Sequence, residues 1–136
     1  MKKLVFLLIF LFIQNTQAIE DIDNIIQICS PHITDEYTPD IVLKQQYEES
    51  SFCLKHNIQK LAKDIFNQDK YNEFCTYLSQ ATDSYLQIVL LLNEHTKGID
   101  GLPGTFDQLE AYSQLYNFLS QLLEVISRYH LSQSQL

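Results

Sequence analysis

Glu49, Cys53, His56 and Lys60 follow one another at i, i+4, i+7 and i+11, on one face of a predicted helix. The first three are side-chain types that hold transition metals, and this spacing can bring them toward one ion. Against a metal site stands the narrow source of the ligands: all three come from one helix. Cys53 also has a competing use in a disulfide. The expectation is no metal and no cofactor.

Cys75 is the other reactive candidate. A thiol acting as a nucleophile needs a nearby base. His56 and His95 sit about two and a half and five helical turns along their helices from it. The chain has no glycine-flanked serine elbow, no phosphate-cradling glycine loop and no zinc-protease helix motif. The expectation is a protein without catalytic residues.

Tyr77, Leu86 and Leu90 lie off the main apolar seam of their helix. Such residues either pack beneath neighbouring helices or form an exposed strip for a partner, which would make them an interface, including one for a homodimer.

Helices must position all of these groups. Apolar residues recur at spacings of three and four, never in sustained alternation. Ile22, Ile25, Ile26 and Cys29 form the stripe of a short helix ending at Pro31. Thr38-Pro39-Asp40 predicts a second helix start, with Thr38 capping and Pro39 in the first helical position. That helix runs to about Phe66 with Leu43, Tyr47, Leu54, Ile58, Leu61 and Ile65 inward, and Ser50-Ser51 marks a potential bend. After Asn67-Gln68-Asp69, with Asp69 as cap, a third helix extends to Lys97. Its stretch Tyr85 to Leu92 is apolar nearly all round and so predicts a central rod enclosed by its neighbours. All three glycines fall in the segment 98–104. Thr105 and Gln108 form a capping box for a fourth helix reaching about Tyr129, followed by a frayed tail from Ser132.

Short connections between long helices imply antiparallel neighbours. The fold class is all-α: an up-down antiparallel bundle of three long helices plus a short N-terminal helix. A hairpin turning at Gln68 places Cys53 level with about residue 83, roughly 12 Å along the axis from Cys75. That exceeds the reach of a disulfide, about 7 Å between Cα atoms. Unless the second helix breaks, Cys29 is therefore one partner; Cys29–Cys53 is the expected bridge, with Cys75 as the alternative partner.

Residues 1–18 read as a signal peptide. Lys2 and Lys3 are followed by an apolar run from Leu4 to Ile13, then by the small residues Thr16 and Ala18 at the cleavage positions. Cleavage leaves one domain, 19–136, with seven basic and seventeen acidic residues, no stable membrane anchor, and a periplasmic or extracellular location. The surface would repel phosphate backbones and anionic lipid heads, so nucleic acid is not an expected partner. Solubility accounts for the charge, and so does a basic protein partner.

The segment Asp23-Asn24-Ile25-Ile26-Gln27-Ile28-Cys29 is similar to the opening of the plant invertase and pectin-methylesterase inhibitors, which are exported helical bundles. That family has a second cysteine soon after the first, whereas here the next is Cys53. The similarity covers seven residues and assigns no family.

Three functions follow in order of expectation. The first is a protein-binding module of the inhibitor, immunity or envelope-adaptor type. The second is a carrier of an apolar small molecule or lipid between helices. The third is an enzyme with an unrecognised site.

Overall fold

The computed structural model describes residues 22–32, 38–96 and 105–134. Residues 1–18, read from sequence as a signal peptide, residues 19–21 and the glycine-bearing segment 98–104 lie outside that range. Among the described residues there are four helices and no strand. The short α1 covers residues 22–29. The long helices are α2 (Asp40–Ile65), α3 (Gln68–Thr96) and α4 (Thr105–Ser134).

The order is up, down, up, so α2 and α4 run parallel and α3 runs against both. Contacts between α2 and α4 show the shared direction. Lys44 meets Tyr112, Tyr47 meets Tyr116, and Asp64 meets His130. A bundle of three long helices with a short leading helix is therefore the architecture.

The helix ends differ in detail from the sequence expectation. Pro39 occupies the cap rather than the first helical position, with extended ψ of 146°. Its carbonyl accepts the N–H groups of Val42 and Leu43. Asn67, not Asp69, caps α3: its Oδ1 accepts the Lys70 N–H at 3.0 Å. The helix begins at Gln68 and brings Asp69 into the first turn, where the helix dipole favours a carboxylate. At the far end α4 remains helical to Ser134.

No break occurs at Ser50-Ser51. Both serines are buried and α2 passes through them unbroken.

The core overturns the expectation of a central third helix. Most contacts between elements join α2 to α4, while α3 touches α4 less and α2 least. Fully enclosed Leu54 and Ile58 of α2 meet Leu119 and Leu123 of α4, each side chain worth about 1.5–3 kcal/mol of burial. Ser51, Ala62, Ala111 and Ser127 are buried around them. Small residues let two helices approach closely, which is why this pair forms the centre. The Ser127 hydroxyl satisfies itself on the Leu123 carbonyl at 2.6 Å.

α3 joins through Leu78, which is buried, and through the larger Tyr71, Phe74 and Tyr85. Ile88, Leu91 and Leu92, predicted to be wrapped by neighbours, are 56%, 62% and 58% exposed. The apolar composition of this stretch was a poor guide to its surroundings. Enclosure needs neighbours on every side, and here only the side carrying Tyr85, Leu86, Val89 and Leu90 is partly covered.

Candidate functional site

The Cys29 and Cys53 sulfurs lie 2.03 Å apart with Cα atoms at 5.4 Å, joining α1 to the middle of α2. Asn57, one turn after Cys53, donates its side-chain amide to the Cys53 carbonyl at 2.9 Å and toward Cys29 Sγ at 3.5 Å. Ser30 fastens the end of α1 by donating to the Ile26 carbonyl, and its hydroxyl lies 3.5 Å from that of Tyr116. Tyr116 meets Tyr47 edge to face at 5.9 Å. The short helix is thus held to both members of the central pair.

A cavity of about 190 Å³ opens beside this junction. Gln46, Glu49, Ser50 and Cys53 line it from α2, and Cys29 and His32 from the other side. The Gln46 Oε1 atom is buried and accepts no hydrogen bond among the described residues. A buried polar atom left unpaired costs about 1–3 kcal/mol, and the Ser51 Oγ atom of α2 is in the same condition. Glu49 is exposed, and its Oε1 accepts the Gln45 amide at 3.2 Å.

Glu49 also borders an open groove of about 590 Å³ on the outer face of α2, with Ile41, Lys44, Gln45, Glu48 and Phe52. Phe52 is 75% exposed and Ile41 64%, three helical turns apart on one face. Lys44 pairs with Glu48 at 3.5 Å and lies 5.5 Å from the centre of the Tyr112 ring. Burial, with the Glu48 carboxylate nearby, holds the Tyr112 phenol above its ordinary value, and Lys44 opposes them.

A third hollow of about 410 Å³ lies at the opposite end of the bundle. Ile65, Phe66, Phe74, Leu122, Ile126 and Tyr129 line it. Phe66 and Phe74 meet there with ring centres 5.6 Å apart.

The residues singled out from sequence distribute as follows. Glu49, Cys53, His56 and Lys60 do not converge on an ion: Cys53 is engaged with Cys29, and His56 and Lys60 are exposed. Among the described residues no three metal-ligating side chains come together. Cys75 is a half-buried free thiol beside Tyr71, and the hydrogen bond between them raises the Tyr71 phenol above its ordinary value. The structure separates the three proposed interface residues. Tyr77 points outward and hydrogen bonds to Glu73 at 3.2 Å, Leu86 packs against the core, and Leu90 is half-buried.

Gln46, Ile41 and Phe52 were not anticipated as functional residues. Phe52 and Ile41 both fall off the inward stripe of α2, and that mismatch was the available signal. Gln46 carried none, because its acceptor is notable only once buried. Compared with models of protein families, with curated proteins and with solved structures, the chain matches none of them.

Proposed function

We propose that the protein is exported and acts by binding a basic protein partner on the outer face of α2. The observation that carries this reading is the pairing of exposed Phe52 and Ile41 with the carboxylates Glu48 and Glu49 in one groove. Large apolar groups supply contact area, and flanking charges select partner and orientation. The chain's formal net charge of −8 favours a basic surface opposite.

Export is supported by the N-terminal leader pattern and by the cysteine pair, which suits an oxidising compartment. No helix among the described residues is long and apolar enough to cross a membrane.

The test is affinity capture from the compartment the protein occupies, with wild type and Phe52→Glu compared at equal folded concentration. The reading expects a saturable basic partner that Phe52→Glu loses. Absence of any saturable partner, or capture indifferent to Phe52, would overturn it.

The 410 Å³ apolar hollow favours a second reading, a carrier of a small apolar molecule. Native mass spectrometry of freshly purified protein would reveal a co-purifying ligand of that kind.

A further inference from the structure

We propose that α3 pairs, antiparallel, with α3 of a second copy of this chain, through the flank that carries Tyr77, Ala81, Ser84, Ile88 and Leu91. This surface is separate from the groove on α2, and the inference does not depend on the protein-binding reading.

The five residues follow one another at steps of four, three, four and three. That is the spacing at which one helix presents a continuous seam to another. All five are exposed, and Tyr77, Ile88 and Leu91 are large. The packed side of α3 follows the same rhythm one residue later, through Leu78, Thr82 and Tyr85. Burial within the bundle therefore does not account for the outer seam.

Charge selects the occupant. The chain has a formal net charge of −8, yet Asp83 is the sole charged residue between Phe74 and Asn93. It lies about 140° around the helix from Ile88. At the near end of the seam the Tyr77 hydroxyl donates to Glu73 at 3.2 Å, and Glu73 is paired with Lys70 at 2.8 Å. A basic partner finds no unpaired carboxylate along this flank, whereas a second copy brings an equally neutral one.

Side-chain size selects the direction. With the helices antiparallel, Ala81 faces Leu91 of the second copy and Ser84 faces its Ile88, so each small residue receives a large one. A parallel pair sets Ala81 on Ala81 and Ile88 on Ile88, leaving a gap at one level and crowding at the other. The antiparallel pair also opposes the two helix dipoles and closes as a twofold, adding no further copies.

The area is modest. The seam spans about 21 Å of helix. It offers roughly 400–500 Å² per copy, so a pair buries about 800–1,000 Å², the range of weak, transient association. Dissociation constants of about 10–100 µM are expected for it, and in more dilute solution the chain is a monomer.

The experiment is sedimentation equilibrium of the intact mature protein, from well below to well above that range, in about 0.15 M salt to screen the acidic surfaces. Cys75 is a free thiol, so every sample carries Cys75→Ser to prevent an interchain disulfide. The expected result is a monomer–dimer equilibrium. Ala81→Lys and Leu91→Glu should each weaken it at least about ten-fold, by setting a charge against an apolar side chain. The double variant should regain most of the loss, because the introduced lysine and glutamate then face one another across the antiparallel pair. Gln87→Glu adds charge off the seam and should change nothing. Circular dichroism and urea midpoints confirm that each variant folds.

A monomer at every concentration would overturn the proposal, as would association that survives Leu91→Glu. Dissociation by both single variants without recovery in the double variant would overturn the antiparallel register, and the proposed pairing with it. None of these outcomes touches capture through Phe52, so the two readings fail separately.

Discussion

Tyr85 of α3 lies flat against Phe118 of α4, with ring centres 5.4 Å apart and planes 11° from parallel. Beyond this contact one side of α3 stays half-buried through Leu86, Val89 and Leu90, while Ile88, Leu91 and Leu92 face solvent. The pair anchors the covered side of this stretch of α3 to α4.

That position gives the stacked pair a measurable role. In a double-mutant cycle with Tyr85→Ala and Phe118→Ala, urea unfolding should show a coupling of about 0.5–1.5 kcal/mol, the usual worth of such an aromatic pair. A coupling near zero would mean that the rings merely share area. Hydrogen exchange beyond residue 85 should quicken in either single variant.

The identity of the central helices is open to direct test. Leu54→Ala and Leu119→Ala should each cost about 2–5 kcal/mol, because both side chains are fully enclosed. Leu91→Ala should cost no more than about 0.5 kcal/mol, as expected of an exposed position. If Leu91→Ala matched the other two, the assignment of α2 and α4 as the core pair would fail.

Leu86 separates the two roles once considered for it. Leu86→Glu places a charge on a side chain packed against the core, so it should lower the urea midpoint clearly. Ile88→Glu, two residues on but exposed, should leave it nearly unchanged. Light scattering on both variants would show whether either residue serves a dimer: a fall to monomer without loss of stability would assign an interface.

The link between Cys29 and Cys53 spans 24 residues. Closing a loop of that size stabilises a protein by about 3.5 kcal/mol in the chain-entropy view. Replacing both cysteines by serine should remove a large part of that and release α1 from α2. Deprotection of amides in 22–29 ahead of the rest of the molecule would report the release.

Tyr112 makes an alkaline prediction. Its phenol titrates above the ordinary 10.0 in the folded protein, chiefly because of burial. The folded state therefore holds this proton more tightly than the unfolded chain does. Its contribution is complete below the unfolded value and is lost as pH rises through the folded one. Thermal midpoints of wild type should fall from about pH 10 upward, and Tyr112→Phe should fall less steeply. Equal slopes would remove Tyr112 from the account.

Local sequence chemistry was enough for four helices, their order, the tight turn after Ile65 and the pairing direction of the long rods. Those features depend on apolar spacing and on breakers such as Pro39 and Asn67, which act within a few residues. The hairpin register set Cys53 apart from Cys75 and left Cys29 as one partner, and the structure pairs it with Cys53. It misjudged Tyr85 to Leu92, since an all-round apolar composition states what a helix could bury and not whether anything arrives to bury it.

Tertiary structure alone settled which helices form the centre. Ser51, Ala62, Ala111 and Ser127 are unremarkable in sequence, yet all four are buried where α2 and α4 make the most extensive contact in the bundle. The outer face of α2 and the unpaired acceptor of Gln46 likewise arise only after packing. Burial of an atom depends on residues far away in the chain, and no local pattern encodes it.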